Sequence, residues 1–472
     1  MKLILQPAAA IACLALAGVA HAQPAPMPTL LEAATAIREH TTTSCELVER
    51  SLRAADLHQD LHAFITIDRI GARRACAEAD RAVAHGRKLG RLHGVPIAIK
   101  DNILVKGLPF TGGTRALQGY VAAQDAPAVA RLRAEGAIVI GKLNLHELAF
   151  GATGNNFAYG AVGNAYDPSR RWSRPRSGSV RIPAALNGIV GLRPTAGRYS
   201  GEGVLPVSTA RDTIGPLARS VADLALLDEI LSGSRGEVQP RPPAGLRLGV
   251  ARAAFYDNAD EATRRAFDAA LDKLKGAGAQ IVEIEIPQLR EVAARVAPVT
   301  DYEARVGIAA FLAKYKTGVS LDRLVADIAS PDVAAGFRNR IVSASAPTRE
   351  AYETALKVER PKLQALLRGA FESNRLDALL YPVTLAPALP IRGTEMSVTI
   401  NGRTTSTLAA YIANTGPTST AVLPGVTVPI ALSDEGLPIG LAIDGLWNSD
   451  RALLAIAMGM ETIFPALPAP KQ

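Results

Sequence analysis

The chain has 472 residues, 48% hydrophobic and 20% charged. That is the balance of a globular protein and excludes a disordered or collagen-like chain. The formal charge of +8 is spread along the sequence; its one basic cluster, Arg170, Arg171, Arg174 and Arg176, has no interleaved aromatics, which argues against a nucleic-acid surface.

In chain order, the first 22 residues read as a secretory signal. Lys2 supplies a positive start, Ala8 to Ala20 is apolar but too short to span a bilayer, and Ala20-His21-Ala22 fits the small-x-small cleavage rule. Cleavage before Gln23 would leave a Pro-rich linker over 23–28 and a periplasmic or secreted protein. No later segment reads as a membrane span. Two cysteines remain after cleavage, Cys45 and Cys76. An oxidising compartment permits a bridge between them; two buried free thiols fit the sequence equally well. Neither the cysteines nor the histidines show metal-ligand spacing.

Thr29-Leu-Leu-Glu32 and Thr43-Ser-Cys-Glu46 are capping boxes that open short helices. His62 to Ile67 reads as a strand and Gly71 to Gly86 as a helix. Gly94-Val-Pro-Ile-Ala-Ile-Lys100-Asp101 is an apolar strand ending in a charge. A helix over Ala126 to Glu135 and a short strand over Ala137 to Ile140 follow. Ser220 caps a further helix. Leu246 to Val250, Gln280 to Ile286, Asp377 to Tyr381, Gly425 to Ala431 and Ile439 to Asp444 are strand candidates; Glu261 to Lys275 and most of Val292 to Gly369 read as helical. This alternation predicts an α/β fold, a twisted mixed sheet with helices on both faces, in a single large domain over 29–472.

Two segments carry chemistry. Burial of a lysine at the end of an apolar strand disfavours its ammonium form, and a neutral Lys100 amine can serve as a general base. Taken alone, Lys100 could equally be a lysine reaching solvent from a sheet edge. In Ser177-Gly178-Ser179-Val180-Arg181-Ile182-Pro183-Ala184, small residues before a serine let backbone N–H groups approach a substrate oxygen. A bare Ser-Gly-Ser would more simply be a turn before a buried strand.

Read together, these segments acquire a context. Gly94-Val-Pro-Ile-Ala-Ile-Lys100-Asp101-Asn102, Gly141-Lys-Leu-Asn-Leu-His-Glu-Leu-Ala-Phe-Gly151, Gly178-Ser-Val-Arg-Ile-Pro-Ala-Ala185, Gly188-Ile-Val-Gly-Leu-Arg-Pro-Thr-Ala-Gly-Arg198, Arg211 to Asp223 and Gly436 to Asp444 resemble, in order, the blocks of the amidase signature family. Within it the indoleacetamide and mandelamide hydrolases look nearest, through Ser208-Thr-Ala-Arg-Asp-Thr213. The resemblance implies a serine amidohydrolase that cleaves a small, aryl-substituted carboxamide to acid and ammonia without metal or organic cofactor. It maps Lys100 onto the base and Ser179 onto the nucleophile. The backbone N–H groups of Arg176, Ser177 and Gly178 map onto the oxyanion hole. The partner it implies is a small-molecule amide, and a homodimer is compatible with it. Asp101 and Asn102 are expected in the active-site wall or a plain turn. Asp212 and Arg181 are expected as a structural pair or loop anchor, Asn144, His146 and Glu147 as structural residues, and Tyr381-Pro382 and Pro424-Gly425 as loops near the pocket.

The chain departs from the family pattern in one place. Members carry a Gly/Ser-rich loop with a bridging serine, then an Ala-rich helix and a short strand. Here Arg170-Arg-Trp-Ser-Arg-Pro-Arg176 stands in their stead. Ser173 or Ser177 is then left as a substitute relay, and an internal deletion near 170–178 is the expectation. It would leave apolar surface uncovered and catalysis impaired. The rival reading is a periplasmic protein that binds amides without cleaving them.

Overall fold

The computed structural model describes residues 27–151, 153–170, 180–464 and 466–470. The leader read over 1–22 and the residues Ser173, Arg176, Ser177, Gly178 and Ser179 lie outside the described residues.

The first two helices begin where their caps predict. Thr29 Oγ1 accepts the Glu32 N–H at 3.3 Å while the Glu32 carboxylate accepts the Thr29 N–H at 2.7 Å. Thr43 and Glu46 repeat the exchange at 3.1 Å each way. Each box satisfies two backbone donors that a helix N-terminus leaves orphaned. The helices are Leu30–Arg38 and Ser44–Leu57. A disulfide joins Cys45 to Cys76 in the next helix, Arg69–Ala84. Val48, Leu52 and Ala72 pack beneath it on Ile138 and Ile140.

A three-stranded sheet follows. β1 (Phe64–Ile67) and β2 (Pro96–Lys100) flank β3 (Ile138–Leu143). β1 runs antiparallel to β3, and β2 parallel to it, with Lys100 opposite Leu143. A short hairpin joins β4 (Asn155–Asn156) to β5 (Gly160–Ala161).

The central sheet has seven strands: β6 (Val190–Arg193), β7 (Leu217–Ala218), β8 (Arg247–Val250), β9 (Gln280–Glu283), β10 (Ala378–Pro382), β13 (Gly425–Leu432) and β14 (Pro438–Asp444). Their order is β7-β6-β13-β14-β10-β8-β9. β8 pairs in parallel with β9 and β10, and the remaining pairs are antiparallel. The sheet is therefore mixed, as the sequence predicts.

The twofold period of a strand sends alternate side chains to opposite faces. Leu380, Leu441 and Val426 pack with Phe267, Leu271 and Met460 on one side. Leu379, Tyr381 and Ala442 pack with Leu363, Leu367 and Phe371 on the other. Helices thus cover both faces, which makes the fold a layered α/β one.

Three local differences from the sequence reading have physical causes. Arg181–Leu186 forms a helix rather than passing directly into a strand; the strand begins at Val190. Tyr381 and Gly425 lie in β10 and β13, as the strand readings over 377–381 and 425–431 expect, and Pro382 extends β10, so the loop reading of Tyr381-Pro382 and of Gly425 is corrected to sheet. A further hairpin, β11 (Ser397–Ile400) with β12 (Arg403–Ser406), turns at Asn401-Gly402. Both turn residues have positive φ, 50° and 74°, as a two-residue hairpin loop requires. Among the described residues no helix is long and apolar enough to cross a membrane.

Candidate active site

Lys100 ends β2, an edge strand, and is half-buried. It lines a cavity of about 660 Å³. Ile97, Ile99, Leu143, Leu205 and Ile214 give the wall its apolar character, and Val180, Arg181, Arg193, Arg211 and Ser419 reach the same space. Val180 directly follows Ser179, so the chain enters this cavity immediately after the residue read as the nucleophile.

A second lysine, which the sequence reading passed over, contrasts with the first. Lys142 on β3 is fully buried, and its Nζ meets Asp101 Oδ1 at 2.7 Å and the Pro109 carbonyl at 3.2 Å. The other Asp101 oxygen accepts the Thr111 N–H at 3.0 Å and its hydroxyl at 2.5 Å. Burial raises the Asp101 carboxyl and lowers the Lys142 ammonium, each against the attraction of the other. Asp101 therefore anchors the turn after Lys100 by closing a buried ion pair. Asn102 does line the cavity, and its carbonyl accepts the Leu205 N–H at 2.9 Å.

Arg181 does not pair with Asp212. Its Nη1 lies 2.6 Å from Asp444 Oδ2 and 2.6 Å from the Tyr381 hydroxyl, and its Nη2 donates to the Thr415 carbonyl at 2.9 Å and to Ser419 Oγ at 2.7 Å. All three side chains are sealed from solvent. Burial opposes the Arg181 charge, but Asp444 and Tyr381 outweigh it and the net shift is upward. Tyr381 is raised too, chiefly by burial.

Asp212 instead holds its own loop, accepting the Val207 and Ser208 N–H groups at 2.7 and 2.8 Å. Glu303 braces the same loop from a neighbouring helix, accepting Ser208 Oγ at 2.6 Å, the Ala210 N–H at 2.9 Å and the Tyr352 hydroxyl at 2.9 Å. Burial and Glu303 push the Tyr352 phenol up to about 12. Arg193 donates to the carbonyls of Leu423, Arg211 and Ser419; burial and the neighbouring Arg181 and Arg211 charges bring its guanidinium down to about 9. At Val422 the backbone takes φ +61°, a strained conformation for a β-branched residue, beside Ser419 and Thr420 in the cavity walls.

The remaining sequence candidates are structural. His146 is fully buried between Thr153 and Asp332, with Nδ1 and Nε2 at 3.2 and 3.1 Å. Glu147 accepts the Ser330 N–H at 2.7 Å, and Asn144 donates to the His62 carbonyl at 2.9 Å. Arg170 pairs with Asp167 at 3.5 Å and Glu435 at 3.0 Å. Among the described residues no group of acidic, His and Cys side chains could hold a metal.

This geometry meets a known family. The sequence model described as Amidase matches residues 46–173 and 176–454, so the chain belongs to the amidase family and is an amide-hydrolysing enzyme. It is 38% identical to mandelamide hydrolase of Pseudomonas putida over 94% of this chain and 92% of that protein. It is 37% identical to indoleacetamide hydrolase of Rhizobium radiobacter over 89% and 93%. Among solved structures, a crystal structure of an amidase superposes with a TM-score of 0.81 at 31% identity, covering 92% of this chain and all of that one. The native peptide amidase of Stenotrophomonas maltophilia superposes with 0.79 at 26% identity, covering 94% and 99%.

Asp444→Asn removes the charge that compensates buried Arg181. We expect a loss on the order of 3–5 kcal/mol of stability, read as a lower midpoint in chemical denaturation. A midpoint unchanged within error would show that Asp444 does not hold Arg181 in place.

Proposed function

We propose that this chain hydrolyses a small, aryl-substituted carboxamide to the carboxylic acid and ammonia, with Ser179 as nucleophile and Lys100 as base. The observation that carries this reading is the shared cavity: Lys100 lines it together with Val180 and Arg181, the two residues that follow Ser179. Its apolar walls suit an aryl acyl group. Mandelamide hydrolase and indoleacetamide hydrolase, the relatives named above, act on such amides by their names.

In this mechanism a neutral Lys100 amine takes the Ser179 hydroxyl proton, either through a water or through Ser173 or Ser177 as relay. The serine oxygen attacks the amide carbonyl carbon. Backbone N–H groups of Arg176, Ser177 and Gly178 stabilise the oxyanion. Collapse of the tetrahedral intermediate breaks the C–N bond, and the nitrogen leaves as ammonia with the proton returned from the lysine. Water then attacks the acyl ester, Lys100 takes its proton, and the acid departs as Ser179 is regenerated.

Ammonia release from indoleacetamide, mandelamide or benzamide is the expected outcome with the purified chain. Lys100→Ala and Ser179→Ala should each lower it by roughly 10³-fold or more. Undiminished release from either variant would remove that residue from the mechanism. Absence of release from all three amides, with ligand-induced thermal stabilisation retained, would favour the binding protein.

The same reading includes a lost segment near 170–178. Among the described residues β2 and β7 are edge strands of separate sheets; a strand between them would join the sheets. The family match also breaks between residues 173 and 176. Inserting a Gly/Ser-rich loop, Ala-rich helix and short strand of the family type between Arg170 and Gly178 should raise both the melting temperature and the ammonia rate, the rate by at least about tenfold. A grafted chain that melts lower and works no faster would count against the loss.

We also propose export, with cleavage before Gln23. The Cys45–Cys76 bridge supports it. Protein recovered from the periplasm should begin at Gln23 and carry no titratable thiol, and reduction should lower its stability by about 2–4 kcal/mol. Cytoplasmic protein retaining Met1, with Cys45 and Cys76 as free thiols beside Cys13, would overturn the proposal.

A further inference from the structure

A second, wider cavity of about 1100 Å³ adjoins the first, and Arg211 lines both. The wall of the wider cavity carries Arg264, Arg290, Arg340 and Arg403 besides Arg211. Against these stand Asp257 and Asp301. Arg340 is the one that approaches a carboxylate, at 3.9 Å from Asp301. The other four form no ion pair among the described residues.

Three of these four are nevertheless held. Arg290 donates to the carbonyls of Ala413 and Ala254 and to Asn414 Oδ1, and Arg403 donates to Asn258 Oδ1 at 3.2 Å. Arg211 makes one long side-chain bond, to Thr420 Oγ1 at 3.4 Å. Its backbone is fixed more firmly: its N–H donates to the Ser208 carbonyl at 3.0 Å, and its carbonyl accepts from Arg193 at 3.1 Å. The acids nearest to it are already engaged, Asp212 with two backbone N–H groups and Glu303 with Ser208, Ala210 and Tyr352. Burial lowers the guanidinium of both Arg211 and Arg290, so an incoming anion would relieve a real desolvation cost.

A concave wall of like charge focuses its field on the opposite sign. A guanidinium offers several N–H donors in a plane that matches a carboxylate. We propose that Arg211 is a specificity-determining residue, and that the substrate is an amide whose acyl part also bears a carboxylate. The amide lies in the Lys100 cavity and the carboxylate reaches Arg211 at the junction with the wider one. Arg264 and Arg290 supply the surrounding positive field. This inference rests on the amide-hydrolase reading for the placement of the amide end.

Calorimetric titration of the full chain with 4-carbamoylbenzoate and with neutral 4-acetylbenzamide, similar in shape, tests it without requiring turnover. We expect the anion to bind at least roughly tenfold more tightly and the preference to shrink as salt rises. In Arg211→Met the two ligands should bind within about twofold of each other. Arg264→Gln, whose side chain anchors no other element, should give a smaller loss and serves should Arg211→Met fail to fold. Equal binding of both ligands, binding of neither, or a preference that survives both substitutions overturns the proposal. A parallel ammonia assay separates the two readings. Anion preference without ammonia leaves the selectivity and removes the hydrolysis; ammonia from both ligands with equal affinity does the reverse.

Discussion

The site hangs on one buried ion pair. Arg181 stands two residues after Ser179 and opens the helix that leads back into the sheet, while Asp444 ends β14 near the centre of that sheet. Joining them fixes the start of the helix against a rigid strand. The bonds from the same guanidinium to the Thr415 carbonyl and Ser419 Oγ bring in the helix Thr415–Thr420. The site is built tightly: a side chain at Gly425, opposite Asp444, would place a Cβ 2.2 Å from Asp444 Oδ1, so that position tolerates only glycine. Desolvation makes such a pair a poor source of net stability. What it provides is registration of helix, strand and cavity wall.

Two lysines on adjacent strands show how burial sorts chemistry from structure. Ile99 lies opposite Lys142 in the β2–β3 ladder, and Lys100 lies opposite Leu143. Lys142 is fully enclosed and has a carboxylate within 2.7 Å, so its charge is spent on holding the Asp101 turn. Lys100 meets a cavity, where an amine can exchange a proton with a ligand. The one-residue offset between the strands therefore decides which lysine is available to a substrate and which is part of the scaffold. The Asp101–Lys142 pair also pins the backbone immediately after Lys100, so the buried lysine positions the one that meets the cavity.

Much of this was legible in the sequence. The capping boxes at Thr29 and Thr43, the apolar strands and the ordered motif blocks are local signals, and each marks an element or a family position directly. Partners distant in the chain were not legible. Arg181 and Asp444 are 263 residues apart, and nothing local distinguishes Asp444 from Asp212 as the acid that takes the arginine. Lys142 was overlooked because a charge inside an apolar run reads as a strand end, whereas Asp101 makes it a strand interior. The Asn401-Gly402 hairpin carries a recognisable turn signal in that dipeptide. The arginines of the wide cavity come from segments between residues 211 and 403, so only folding reveals them as one field.

The split sheet bears on chemistry as well as architecture. A serine–lysine pair works when a proton can move between the two groups, and a relay shortens that path without moving either backbone. In this chain the lysine is delivered by the edge of one sheet, and the residues after Ser179 are anchored by Arg181 to the other. In the proposed mechanism the separation between Lys100 and Ser179 is then set by how the two sheets pack, with no strand ladder common to both among the described residues. Strand ladders hold register through a continuous row of backbone bonds, whereas packed apolar surfaces slide at lower cost. Loss of a bridging segment would act twice, removing a proton carrier and loosening the frame that holds the remaining two groups at reacting distance.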